Sequence, residues 1–258
     1  VLDAHAHTRI PNPWMGVRLH PGTPKEFKIK TYNVIRIGTG EPKVFNDGPN
    51  IDSMLRYGKP MEDARDYVGI GCVEPSVPGK TYGMHDAGSM NLALVLQMAI
   101  NGGRCIDCGP ACPRWAQCGA QGKHLSIDTG SLETFTSFDQ VLESYDKQMA
   151  HCCDVMVASI NKMDMAHQRL KPLPYLSLLV DDCIAKGQDV SAGGAHYNLT
   201  GPQAVGLGTV ADSLAAIKQL VFDEKKVTGH ELLQAIRDNW VGHEPLYALV
   251  NGPHMHQY

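Results

Sequence analysis

The stretch Tyr67-Val68-Gly69-Ile70-Gly71-Cys72-Val73-Glu74-Pro75 decides how this chain is read. Its first four residues form a short apolar run of strand character, and Pro75 and Pro78 forbid a helix directly after it. The pattern is strand, then loop, with a thiol and a carboxylate two positions apart at the tip. In an extended or looped backbone both side chains can face one pocket. Residue type alone leaves two readings open: a reactive pair in a pocket, or a small buried cysteine beside a loop glutamate.

Outward from this stretch, strand signals are few and short, at Val17–His20 and Tyr67–Ile70, and helical ones are long. Thr23-Pro24-Lys25-Glu26 has the form of a capping box, opening a helix that ends near Gly38 or Gly40. Residues from about Ser89 to Ile100 are apolar on nearly every face, which predicts a buried helix stopped by Asn101-Gly102-Gly103. A second capping box, Ser137 with Gln140, opens the longest periodic segment. There Val141, Tyr145, Met149, Cys152, Met156 and Ile160 recur at helical spacing, with Cys152-Cys153 read as core. Further helices are expected at about 175–186, 209–224 and 228–240. Long helices between short buried strands suit an α/β barrel.

Residues 71–88, GCVEPSVPGKTYGMHDAG, together with SAGGAHYNLTGPQAVG and ADSLAAIKQLVFDEKK downstream, resemble the glycyl radical enzyme family in its dehydratase and lyase branch. The likeness runs over essentially the whole chain. It implies a helix-rich α/β fold, part of a ten-stranded barrel with the catalytic cysteine on a loop inside it. Residues 1–258 would then be a partial pyruvate formate-lyase-like barrel domain without its N-terminal part or its C-terminal glycyl radical domain. The resemblance further implies that Cys72 forms a transient thiyl radical and abstracts a hydrogen atom from substrate carbon. Glu74 would be the base for the neighbouring hydroxyl, after which water, sulfite or an amine leaves the adjacent carbon. Pyruvate formate-lyase itself has two adjacent cysteines at this place, so Cys72-Val73-Glu74 speaks against formate chemistry.

The chemistry of the pair is consistent with those roles. A free carboxylate at about 4.3 is too weak a base for an alcohol, and desolvation in a barrel raises it. A thiol near about 8.5 stays neutral in an apolar pocket. The loop is therefore expected to be enclosed. No Arg-Val-Xaa-Gly-Tyr string, the family's radical-storing loop, occurs in the chain. The resemblance thus implies a radical on a glycine missing from this chain, installed by a radical S-adenosylmethionine activating enzyme, and no cofactor bound directly. Implied partners are a small hydroxylated substrate, the activating enzyme and, when complete, a second copy in a homodimer. The polypeptide alone is expected to be inactive. Within the branch the likeness is nearest to the isethionate sulfite-lyase subgroup, which splits isethionate to sulfite and acetaldehyde. Glycerol or 1,2-propanediol dehydration is the alternative, and hydroxyproline dehydration a further one. A sulfonate needs a cationic cradle, which on the family pattern lies outside these residues.

Other motifs carry weaker signals. His85-Asp86 follows Cys72 by thirteen and fourteen residues. In diol dehydratases the Asp matching Asp86 contacts a substrate hydroxyl; as a bare motif, Asp86 equally reads as a cap for the apolar helix after it. Cys105, Cys108, Cys112 and Cys118 lie within fourteen residues, a set able to clamp zinc or an iron–sulfur cluster or to remain as unligated thiols. The loose closing spacing favours no metal. Asp3-Ala4-His5-Ala6-His7 is the rival reading: a strand ending in His-Xaa-His would open a metal-dependent amidohydrolase. Gly193 and Gly194 read as devices for close backbone packing.

Composition bounds the rest. Hydrophobic content of 43% and charge of 19% suit a globular core, and a net charge of −4 without Lys/Arg runs argues against nucleic acid. No apolar run reaches about 18 residues, so no membrane role is expected. Eight cysteines in 258 residues are too sparse for a disulfide scaffold. A reduced, cytoplasmic, anaerobic setting fits this usage, and the family resemblance implies a bacterium and a bacterial microcompartment.

Overall fold

The computed structural model describes residues 1–9, 12–71, 74–106 and 124–251. In chain order it gives α1 (Leu2–Thr8), β1 (Gly16–Leu19), α2 (Lys25–Ile35), β2 (Lys43–Asn46), α3 (Asp47–Arg56), α4 (Met61–Arg65), β3 (Val68–Ile70) and β4 (Glu74–Ser76). Then follow β5 (Thr81–Asn91), α5 (Leu92–Ile100), α6 (Phe138–Leu170), α7 (Pro174–Ser177), α8 (Cys183–Lys186), β6 (Tyr197–Val205), α9 (Leu207–Ile217), α10 (Gly229–Arg237) and α11 (Glu244–Val250). Among the described residues the strands form three two-stranded pairs: β1 with β2, β3 with β4, and β5 with β6. The chain divides into two compact units, Val1–His85 with Met165–Gly201, and Asp86–Asp164 with Pro202–Tyr258.

In the first unit β1 and β2 run parallel, Val17 opposite Val44, with α2 as the crossover between them. Val17 and Leu19 alternate inward and pack with Leu2 and Val34. The expected capping box at Thr23 does not form. Pro24, extended at ψ 140°, takes the N-cap position, and Thr23 Oγ1 instead accepts from the backbone N of His20 at 2.9 Å, closing a turn. β3 and β4 form an antiparallel hairpin with Val68 opposite Ser76 and Ile70 opposite Glu74. Phe45, Met54, Ala64 and Tyr67 make a small core beside it. The single helix expected at 175–186 is two short ones. Asp189 draws the first back by accepting from Leu173 N and Ser177 Oγ, both at 2.9 Å, and Asp181 N is held by Gly79 O at 2.7 Å.

The second unit is helical. Residues 89–91 finish β5 rather than start the helix, because Asn91 is its cap, accepting from Leu94 N at 3.1 Å. Val95, Leu96, Val141, Ile217 and Leu233 lie at the centre of the core, and Tyr145, Met149, Cys152, Cys153 and Met156 of α6 pack against it. Two polar side chains share the buried face of α6. Ser144 Oγ donates to Ala99 O at 2.7 Å, and Gln148 Nε2 donates to Ile127 O at 2.6 Å. Gly103 accepts this approach because a Cβ there would come 2.2 Å from Ile127 O. α9 continues into a π-helical turn over Lys218–Asp223, and α10 opens on a full capping box between Thr228 and Glu231. No helix among the described residues is long and apolar enough to cross a membrane.

Candidate active site

Glu74 begins β4, half-buried, with its carboxylate close to Gly71. Gly71 stands at φ +60°, and a Cβ there would sit 2.8 Å from Glu74 Oε2. A glycine is thus required twice over, for the left-handed backbone and for the space the carboxylate occupies. Cys72 lies outside the described residues.

Ser76, two residues beyond Glu74 on the same strand face, is buried, and its Oγ lies 3.4 Å from His85 Nε2. The imidazole covers Gly83, where a Cβ would come 2.4 Å from Nε2. The first unit therefore joins the Glu74 strand to His85 through a serine that sequence reasoning passed over. The i, i+2 spacing from Glu74 was the signal that could have found it.

Asp86 belongs to the second unit and is exposed. It is not a helix cap. It stands inside β5 at φ +55°, a left-handed conformation that costs a non-glycine residue about 1 kcal/mol or more. Gln203 Nε2 on β6 donates to its Oδ1. Gln203 was also missed, although it lies in the Gly201-Pro202-Gln203 string of the downstream motif.

Two ion-paired clusters stand behind the hairpin. Arg18 stacks 4.0 Å above the Tyr67 ring and donates to Asp47 Oδ1 at 2.8 Å and Tyr67 O at 3.0 Å. Hydrogen bonding from Arg18, joined by that from Tyr67, holds the Asp47 carboxyl below its ordinary range, and burial pushes the Tyr67 phenol up. On the other side, buried Asp63 accepts from Lys80 Nζ at 2.6 Å and from Tyr197 OH at 2.5 Å. These two bonds, Lys80's first, lower the Asp63 carboxyl, while the bond to Asp63 is the main cause that pushes Tyr197 up to about 12. Lys59 lies 4.2 Å over the Tyr197 ring.

The remaining expectations divide. The His-Xaa-His strand is corrected: residues 2–8 are helix α1, where positions two apart diverge by about 200°. His5 is buried and bonded to Thr39 Oγ1 at 3.3 Å, while His7 is exposed, so no two-imidazole face exists for an amidohydrolase. Of the four clustered cysteines, Cys108, Cys112 and Cys118 lie outside the described residues. Gly194 is a close-packing glycine, since a Cβ there would meet Gln188 O at 2.2 Å.

Comparison with known proteins adds the context. A family model described as Pyruvate formate lyase-like matches residues 1–254. The chain is 50% identical to a (2S)-3-sulfopropanediol dehydratase of Klebsiella oxytoca, over 100% of this chain and 30% of that enzyme. It is 30% identical to an isethionate sulfite-lyase of Desulfovibrio desulfuricans over 97% of this chain and 29% of that enzyme. The solved glycerol-bound B12-independent glycerol dehydratase of Clostridium butyricum superposes with a TM-score of 0.84 at 38% identity, covering 98% of this chain and 30% of that one. The chain thus spans about 30% of the length of the relatives it matches.

Proposed function

Because this chain belongs to the pyruvate formate lyase-like family, we propose that it supplies the cysteine–glutamate hairpin of a glycyl radical dehydratase acting on a sulfonated 1,2-diol. The observation that carries this reading is the 50% identity along the whole chain to the sulfopropanediol dehydratase. The ten-stranded barrel is part of the same proposal and belongs to the longer polypeptide.

A glycyl radical, installed by an activating enzyme, would supply the unpaired electron that makes Cys72 an oxidant. Cys72 Sγ takes a hydrogen atom from the hydroxyl-bearing carbon, forming S–H and leaving a carbon radical. Glu74 takes the proton of that hydroxyl. The hydroxyl on the adjacent carbon leaves and collects the proton from Glu74, so water is released and a carbonyl forms. The thiol of Cys72 returns its hydrogen atom to the product radical, which restores the residue. Asp86, steadied by Gln203, accepts a hydrogen bond from substrate hydroxyl, and His85 serves as a second polar contact. The close fit of the Glu74 carboxylate over Gly71, next to Cys72, supports the base assignment.

The likeness to isethionate sulfite-lyase supports a second reading, in which sulfite leaves instead of water. Incubating the full-length, anaerobically activated enzyme with 3-sulfopropanediol, isethionate and glycerol separates the two. Aldehyde from the sulfonated diol without sulfite is the expected result. Sulfite from isethionate at the higher kcat/KM would establish the second reading, and turnover of none of the three would remove both.

A further inference from the structure

The β3–β4 hairpin has only a short ladder of its own. It has three residue pairs, and Pro75 brings no N–H to the ladder. A two-stranded ribbon of this kind is marginal in water. Its two ends, in contrast, are tied by charge-assisted hydrogen bonds, which are about twice as strong as neutral ones. At the entry, Tyr67 is fully buried, its hydroxyl donates to Asp47 Oδ1 at 2.8 Å, and Arg18 grips its ring and its carbonyl. At the exit, Lys80 donates to Asp63, and Tyr197 both donates to Asp63 through its hydroxyl and to Lys80 O through its backbone N at 2.9 Å.

We propose that Asp63 and Tyr67 are positioning residues, which act through the two ends of the hairpin to fix the carboxylate of Glu74 at the reacting centre. This rests on the reading of Glu74 as the base. Neither residue touches substrate. Their effect is on where the base sits, and a misplacement of about 1 Å costs on the order of a hundredfold in rate.

The test uses the full-length, activated enzyme with Asp63→Asn, Tyr67→Phe, Lys80→Met and Lys80→Arg. The expected result is a kcat lowered roughly tenfold to a hundredfold in the first three, with KM within about twofold of the parent and equal radical content by electron paramagnetic resonance. Lys80→Arg keeps the ion pair and restores kcat. Amide exchange rises in the peptides covering residues 67–81 and stays at the parental level elsewhere. Unchanged kcat and exchange in the first three variants would overturn the proposal. So would exchange rising throughout the protein with a matching loss of Tm, because the residues would then only hold the fold. Glu74→Gln in the same enzyme serves as control: parental kcat there means that the function reading has failed, whatever the exchange shows.

Discussion

At the scale of single residues, Glu74 and Tyr197 make the sharpest predictions. Replacing Glu74 by Gln keeps its size and removes its basicity, so kcat of the full-length enzyme should fall by about 10² to 10⁴ with little change in KM. Steady-state kinetics on samples of equal radical content check this, and a parental kcat would exclude Glu74 as the base. Tyr197 carries a signature in pH. Its hydrogen bond to Asp63 raises the folded value to about 12, against about 10 when unfolded. The stabilisation is therefore complete below pH about 10 and is lost as pH rises through about 12, when phenolate would face carboxylate. Lys80, also raised by Asp63, loses its contribution in the same direction. Asp63 itself is lowered, so its contribution disappears as pH falls below the ordinary carboxylate range. Denaturant titrations of the parent and Tyr197→Phe from pH 8 upward should converge at the alkaline end. Parallel curves would contradict the assignment.

At the scale of elements, the hairpin and α10 respond differently to substitution. Gly69 lies under the Phe45 ring, and a Cβ there would come within 2.3 Å of Phe45 Cζ. Gly69→Ala should cost about 1–3 kcal/mol and lower kcat by shifting β3, and adding Phe45→Leu should recover part of both. Leu233→Ala in α10 empties a fully buried position and should cost about 2–5 kcal/mol, read from urea unfolding, with kcat per folded molecule preserved. The elements legible in the sequence were the helices with a one-sided apolar period, α6, α9 with its π-helical turn and α10, together with the all-apolar α5, the helix α2 and the short apolar strands β1 and β3. The long strands β5 and β6 were not legible. Gly83, Gly88 and Gly201 and the polar Asn198, Thr200 and Gln203 give them no alternation of apolar and polar residues. The split between α7 and α8 was hidden for a related reason. It is imposed by Asp189, just beyond the end of α8, and by Gly79, far back in the sequence.

At the scale of the whole molecule, the candidate site was partly legible because its chemistry sits in one short string. Cys72, Glu74, His85 and Asp86 could be singled out from residue type and family likeness. The groups proposed to position Glu74 could not, since Arg18, Asp47, Asp63 and Tyr197 stand apart from it in sequence and meet the hairpin ends only through folding. The most direct measurement is product formation by the full-length, activated Cys72→Ser enzyme, with its radical content counted in the same sample. The account predicts parental radical content and no aldehyde or sulfite above the unactivated blank. Sustained product formation by that variant would contradict it.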